Sequence, residues 1–147
     1  MTYGEKAKAL FEEGYNCSQA VFLAFIDILP VSKLDAIRLS AGFGGGFGRM
    51  REVCGAVSAM TAVISYFNAC ENPNDKDKKA QLYEKIQSAI ASFKSENGDF
   101  ICKNLLGMAD TSPTPQERTK QYYKKRPCGE LCRCAADIAA RMIGRAD

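Results

Sequence analysis

The residues of this chain with the most evident chemistry are its seven cysteines, in a sequence of 147 residues that has no histidine. Thiolates are the form of cysteine that attacks disulfides and binds soft metals. The missing histidine excludes Cys-His nucleophile pairs, histidine-based serine triads, mixed Cys/His zinc sites and His-ligated haem. A metal in this protein must therefore be held by thiolate, carboxylate or backbone groups.

Four of the cysteines share one predicted position, because each lies near the start of a different predicted helix. They are Cys17, Cys54, Cys102 and Cys128. A helix start offers free N–H groups and positive potential, which can lower a thiol pKa from about 8.5 to between about 3.5 and 7.5. Basic residues before Cys128 act in the same direction. A fold that gathers these starts would form one thiolate pocket, so we predict these four as redox residues and metal ligands.

The other three cysteines give weaker signals. Cys70 lies in a loop rich in turn-forming residues and is predicted to be incidental. Cys132 follows Cys128 by one helical turn and shares its face, whereas Cys134 lies on another side of that helix. Their spacing lacks the C-x2-C of zinc fingers and the ferredoxin runs. We interpret Cys132 and Cys134 as small buried hydrophobic residues.

A glycine-rich loop, GFGGGFG at residues 42–48, precedes the helix that carries Cys54. It lacks the Gly-Lys-Ser/Thr ending of a P-loop, and it follows a helical segment where the dinucleotide fingerprint requires a strand. Both features disfavour nucleotide binding. We predict that the loop turns the chain sharply and that its glycines let a bound group approach. The predicted cofactor-binding residues are Gly44, Gly45, Gly46 and Gly55.

Apolar periodicity predicts an all-α fold, with one domain over residues 1–147. The expected architecture is a bundle of about six to eight helices, with the glycine-rich loop before a central helix. The second helix, residues 16–29, is apolar on most of its circumference and is predicted to be central and to end at Pro30. In the third helix, Leu34, Ile37 and Leu39 are predicted to face inward.

Three later segments complete the predicted bundle. The central helix is expected to carry a core stripe of Val53, Val57, Met60, Ile64 and Phe67. A basic helix over residues 115–125 is predicted to begin after Thr114 with proline at its first position, and we interpret its charges as a solvated face. The last helix is predicted to begin at Pro127, with Leu131, Ala135, Ile138 and Met142 in the core.

The net charge and the length of the apolar segments limit which kinds of binding partner we expect. The net charge of +3 is too small to indicate nucleic-acid binding. No signal peptide is evident, and the longest apolar run, residues 20–29, is interrupted by Asp27 and is too short to span a bilayer. We therefore expect a cytoplasmic protein with no membrane or nucleic-acid partner, in which thiols stay reduced. An unknown electron-transfer partner is expected, and a homodimer stays an alternative.

Several segments together resemble a known family. GYNCSQA at residues 14–20 resembles its opening G-[FY]-N-C-[AS]-Q-[AS], and GFGGGFGRM at 42–50 with EVCGA at 52–56 resembles its central motif. CKNLLG at 102–107 is similar to its C-[RK]-x-L-L-G element. The arginine, proline and cysteine at 126–128 match its last cysteine. The family is bacterial and archaeal, is described as redox-active, and is named for its cysteine pattern, C_GCAxxG_C_C.

The resemblance implies an all-helical redox protein of a kind common in anaerobes. It also implies similarity to the non-haem part of split-Soret cytochromes, for which an iron–sulfur centre has been proposed. The four motif cysteines correspond to Cys17, Cys54, Cys102 and Cys128. Two positions depart from the pattern, since Ala59 replaces its second glycine and Met108 stands where many members have a further cysteine. No c-type haem motif is present, so a haem-bearing role does not carry over.

Three functional hypotheses follow from the sequence. The first is an iron–sulfur cluster held by four thiolates, acting in electron transfer or redox sensing. The second is metal-free chemistry in which two cysteines cycle between dithiol and disulfide. The third is a structural helical module with thiols or a zinc ion. No general base is evident, so an oxidoreductase and an electron carrier both stay open.

Overall fold

The computed structural model describes residues 1–145, and within them the chain forms eight α-helices. The prediction of an all-α bundle with about six to eight helices is confirmed. The helices are α1 (Tyr3–Glu12), α2 (Cys17–Ala24), α3 (Lys33–Ser40), α4 (Gly55–Asn68), α5 (Lys76–Asn97), α6 (Cys102–Leu106), α7 (Lys120–Lys125) and α8 (Cys128–Met142). A short 3-10 turn, Ala41–Phe43, follows α3. The described residues contain no strand, only one isolated antiparallel bridge between Val53 and Ile101.

The core lies where α1, α2, α4 and α8 pack against one another. Each contributes side chains with little or no exposure, among them Phe11, Val21, Met60 and Ile138. Burying one large aliphatic or aromatic side chain stabilises the fold by about 1.5–3 kcal/mol. The small residues of α8, such as Ala135, let neighbouring helices approach closely. This four-helix core fixes the positions of the α2, α4 and α8 starts.

Helix α2 begins as predicted but ends earlier. Asn16 caps it, with its side chain accepting from the backbone N–H of Gln19. The prediction that this helix runs to Leu29 and ends at Pro30 is wrong, because α2 ends at Ala24. The backbone N–H groups of the next two residues bond three residues back, which tightens the chain into turns before proline is reached.

Helix α3 begins after its Ser32 cap, as the sequence predicts. The predicted inward face is wrong for two of its three members, because Leu34 is 54% exposed and Leu39 is 63% exposed. Ala36 and Ser40 occupy the buried side instead. A short helix that covers one edge of a core can bury small residues and leave its leucines in solvent.

Helix α4 is the central helix, and Cys54 is its N-cap residue. The predicted stripe is buried at Val57, Met60 and Ile64. Its two ends differ from the prediction, since Val53 precedes the helix in the isolated bridge and Phe67 is partly exposed. The middle of the stripe therefore carries the packing.

The last third of the chain contains one misplaced helix start. Helix α7 begins at Lys120 with Thr119 as its cap, so the prediction of a start at Pro115 is wrong. Residues 108–119, called here the 108–119 segment, form no helix. The last helix begins after Pro127, as predicted. Among residues 1–145, no helix is both long and apolar enough to cross a membrane.

Candidate functional site

The start of α2 is tied to the residues that lead into the glycine-rich loop. Asn16 Nδ2 donates to the carbonyl of Ala41 at 2.9 Å, and Gln19 Nε2 donates to the carbonyl of Ile37 at 3.1 Å. The same two side chains form the capping box of α2. One pair of polar residues therefore orders the helix start that carries Cys17 and docks it beside the loop.

The starts of α4 and α6 are joined through the backbone. The N–H of Cys54 donates to the carbonyl of Phe100 at 2.9 Å, and the N–H of Cys102 donates to the carbonyl of Glu52 at 2.6 Å. These bonds flank the isolated bridge between the two segments. Cys54 and Cys102 are therefore held on neighbouring stretches of chain.

One cavity of about 310 Å³ is lined by Cys17, Cys54, Cys102 and Cys128. All four begin or cap different helices, α2, α4, α6 and α8. The cavity is far larger than the about 30 Å³ that one water occupies in the liquid. Its wall also contains the four predicted glycines, which are Gly44, Gly45, Gly46 and Gly55. Their assignment as redox, metal-binding or cofactor-binding residues stays a prediction.

Two glycines of the cavity wall lie so close to neighbouring atoms that a side chain would not fit. A Cβ on Gly46 would lie 2.6 Å from the backbone nitrogen of Glu52 and 2.8 Å from Cys102 Cβ, at a φ of +74°. A Cβ on Gly55 would lie 2.9 Å from the carbonyl oxygen of Phe43. The loop and the helix starts therefore come together at distances that a side chain would prevent.

Cys17, Cys128 and Cys132 lie close enough for their thiols to interact. Cys132 Sγ donates to the carbonyl oxygen of Cys17 at 3.8 Å, and the neighbouring thiols shift the pKa values of all three cysteines. Our interpretation of Cys132 as only a buried hydrophobic residue misses this contact. The one-turn spacing from Cys128 to Cys132 was the sequence signal for it.

The remaining two cysteines lie elsewhere. Cys134 Sγ donates to Glu96 Oε2 at 2.9 Å, on the side of α8 that faces α5. Cys70 lies in the loop between α4 and α5 and lines a different surface depression. Neither contributes to the wall of the cysteine cavity.

The prediction that the helix starts lower the thiol pKa values is wrong for three of the four cysteines. Burial raises the pKa of Cys54 to about 12, although the N–H groups of Val57 and Ala56 lower it. The contact with Cys17, followed by burial, raises the pKa of Cys128. For Cys17, the bond with Cys128 lowers the pKa, but contact with Cys132 and burial together leave it well above its ordinary value. For these buried thiols, desolvation outweighs the helix-start effect.

This burial predicts a pH dependence of the reduced, metal-free protein. The pKa of Cys54 rises from 9.0 in an ordinary setting to about 12 in the fold. Above pH 9 the unfolded chain releases this proton and the folded chain keeps it, so stability is lost as pH rises from about 9 to 12. We expect the free energy of unfolding of the wild type to fall faster than that of Cys54→Ala, by about 1.4 kcal/mol per pH unit. Urea unfolding at several pH values measures the difference, and parallel curves for the two proteins would contradict it.

Four arginines give the cavity a positive wall. Arg49, Arg51, Arg118 and Arg126 line it, whereas no aspartate or glutamate among the described residues does. Our interpretation of the basic run at 118–126 as a solvated face is therefore wrong for Arg118 and Arg126. Arg118 donates to the carbonyls of Phe11 and Tyr15. The guanidinium is held inward because Phe11 lies in the last turn of α1 and Tyr15 lies in the turn that follows it.

The donor set suits a group larger than one metal ion. Within residues 1–145, no three cysteine or carboxylate side chains are arranged to hold a single metal ion. Four thiols instead surround a cavity with room for a polyatomic group. Guanidinium groups and helix starts would offset the negative charge of a thiolate-held cluster. The wall of the cavity therefore combines thiols with positive charge and leaves room for a bound group.

Comparison with known proteins places the chain in a family. Residues 15–142 match the family described as "Putative redox-active protein (C_GCAxxG_C_C)". The chain belongs to this family. It is also 25% identical over 154 residues to an "Uncharacterized protein" of Archaeoglobus fulgidus, and the alignment covers 97% of each chain. No solved structure matches the chain. The resemblance inferred from the cysteine motifs is thereby confirmed.

Proposed function

We propose that this redox-family protein holds an iron–sulfur cluster in the cysteine cavity and uses it for electron transfer or redox sensing. The observation that supports the proposal is that Cys17, Cys54, Cys102 and Cys128 come from four helices to line one cavity. Four thiolates are the common ligand set of such clusters. The proposal includes a reducing, cytoplasmic location and a separate electron-transfer partner.

A bound cluster would supply electron transfer, and the chain's own residues would set its surroundings. The four thiols would bind as thiolates and release their protons, so binding should strengthen as pH rises. The raised pKa of Cys54 means that its surroundings in the metal-free protein favour the neutral thiol. The arginine wall would balance the charge gained on binding. Pro113 and Pro115 of the 108–119 segment line the cavity and would limit the access of water.

The proposal is tested by purifying the full chain without oxygen, recording its visible spectrum and assaying iron, sulfide and zinc. We expect a coloured protein that contains iron and acid-labile sulfide. A colourless protein without iron would contradict the cluster proposal, and stoichiometric zinc would favour a structural site.

A second candidate function rests on the contact between Cys17 and Cys128. Both residues line the same cavity, their thiols shift each other's pKa, and all seven cysteines of the structure are free. Attack by one of the two thiolates on an oxidised partner disulfide would form a mixed disulfide. Attack by the second would then close a Cys17–Cys128 bond and release the partner as a dithiol. Two electrons and two protons pass to the partner, so the exchange balances.

The second candidate makes its own prediction. Alkylation and mass mapping should find a Cys17–Cys128 disulfide in protein oxidised by a disulfide reagent, and two free thiols after reduction. Full alkylation of both cysteines in the oxidised sample would exclude the cycle.

A further inference from the structure

Arg51 carries a buried positive charge beside the cysteine cavity, and the hydrogen-bond donors of its guanidinium group are only partly paired. Its side chain is only 4% exposed. Its Nε donates to the carbonyl of Asp110 at 2.9 Å, and its Nη1 donates to Cys102 Sγ at 3.7 Å. Its Nη2 is buried and has no hydrogen-bond partner in the part of the chain that the structure describes. An arginine keeps its charge, so this arrangement leaves a costly unpaired donor.

The other arginines of the wall do not share this condition. Arg49 donates to the carbonyl of Ser112 and lies 3.7 Å from a carboxylate oxygen of Asp110. Arg118 donates to two backbone carbonyls, and Arg126 donates to the side chain of Gln116. These contacts anchor the 108–119 segment. Arg51 differs from the other three arginines because it is buried and still has an N–H donor group that is unpaired among the described residues.

The backbone holds Arg51 in an unfavourable conformation to achieve this placement. Its φ is +62°, in the left-handed region that costs a non-glycine residue about 1–3 kcal/mol. Its N–H bonds to the carbonyl of Gly45, and its carbonyl accepts from the N–H of Lys103. Bonds to the loop and to α6 therefore fix the residue between the glycines and Cys102.

We propose that the cysteine cavity binds a small anion, a carboxylate or an oxyanion, through Arg51 and next to the thiol of Cys102. A guanidinium group presents paired donors that match carboxylate and phosphate oxygens. The cavity wall contributes no carboxylate from the described residues that would repel an anion. The proposal goes beyond the redox centre, because it names the class of molecule that enters the cavity, and it does not require a bound metal.

The test uses two alkylating reagents of nearly equal size, the anion iodoacetate and the neutral iodoacetamide. With either, the Cys102 sulfur forms a bond to the methylene carbon and iodide leaves. The full chain is reduced, freed of metal with a chelator and checked for fold by circular dichroism, and modification of Cys102 is followed by mass mapping. Because a charged hydrogen bond gathers the anion beside the thiol, we expect iodoacetate to react about tenfold faster or more.

Competition and variants separate the sources of this preference. Inorganic phosphate or acetate should slow iodoacetate without slowing iodoacetamide, and the stronger competitor identifies an oxyanion or a carboxylate ligand. Arg51→Met should remove the preference, so that the ratio of the iodoacetate rate to the iodoacetamide rate falls to about one or below, whatever the change in the absolute rates. Arg51→Lys, which keeps the charge but loses the paired donors, should show an intermediate ratio. Arg38→Gln is the matched control, since Arg38 is exposed and lies outside the cavity wall.

Two results would overturn the proposal. If iodoacetate reacts with the wild type no faster than iodoacetamide does, Arg51 contacts only the Cys102 sulfur and does not bind an anion. A preference that neither phosphate nor acetate reduces would exclude a saturable anion site. The wild-type competition keeps the test valid even where an Arg51 variant does not fold. Iron content is measured separately, so failure of the anion site and failure of the cluster proposal are distinguishable.

Discussion

Replacing Arg118 with alanine is expected to lower the free energy of unfolding by about 2–4 kcal/mol, because two hydrogen bonds from a charged group are lost. Arg118 donates to the carbonyl of Phe11 at 2.6 Å and to that of Tyr15 at 2.8 Å. Its guanidinium also lies 4.3 Å from the ring centroid of Phe11, which adds a cation–π contact. Urea unfolding of the reduced protein measures this loss.

The same variant should expose the cavity. Arg118 joins the 108–119 segment to the last turn of α1 and to the turn between α1 and α2, and these segments line the same cavity as Cys17 and Cys128. We expect faster alkylation of Cys128 in Arg118→Ala. Lys120→Ala removes a nearby exposed cation and should change stability by no more than about 0.5 kcal/mol. Equal losses of stability in the two variants would mean that Arg118 contributes only its positive charge and not its hydrogen bonds.

Replacing Gly46 with alanine is expected to cost about 2–5 kcal/mol. The left-handed conformation costs a residue with a Cβ about 1–2 kcal/mol, and overpacking adds about 1–3 kcal/mol. The new Cβ would lie 2.6 Å from the nitrogen of Glu52 and 2.8 Å from Cys102 Cβ, so backbone and site residue both have to move. Thermal or urea unfolding measures the total cost.

Two other glycines of the same loop separate the two contributions. Gly48 has a φ of +59°, but its nearest neighbouring atom would be 4.0 Å from a Cβ, so Gly48→Ala should show only the conformational cost. Gly42 has neither a positive φ nor an atom within 4 Å, so Gly42→Ala should be nearly neutral. A Gly46→Ala loss no greater than that of Gly48→Ala would contradict the close packing of the loop against Cys102.

Local signals in the sequence were sufficient to predict most helix starts. Asn16 and Ser32 each cap the helix start that their residue type indicates. Caps are local, because the bond from side chain to backbone spans only three residues. The gathering of four cysteine-bearing helix starts around one cavity follows from these starts together with the long-range packing of α2, α4 and α8.

The incorrect predictions concern properties that depend on distant residues. Leu39 has the spacing of a core residue but is 63% exposed, because the packing of α3 on its neighbours buries a different side of the helix. The basic run predicts a surface cation at Arg118, because only the folded structure shows that the carbonyls of Phe11 and Tyr15 accept its hydrogen bonds. The pKa of Cys54 depends on how deeply distant residues bury it, and its helix position alone indicates the opposite direction.

The most direct test of a single four-cysteine centre is the iron and sulfide content of serine variants purified without oxygen. Serine has nearly the shape of cysteine but is a poor ligand for the soft sites that thiolates form. We expect Cys17→Ser, Cys54→Ser, Cys102→Ser and Cys128→Ser each to lose most of the iron and sulfide of the wild type. Cys70→Ser, which changes a cysteine outside the cavity wall, should retain both. Wild-type iron content in all four cavity variants, or an equal loss in Cys70→Ser, would contradict the account.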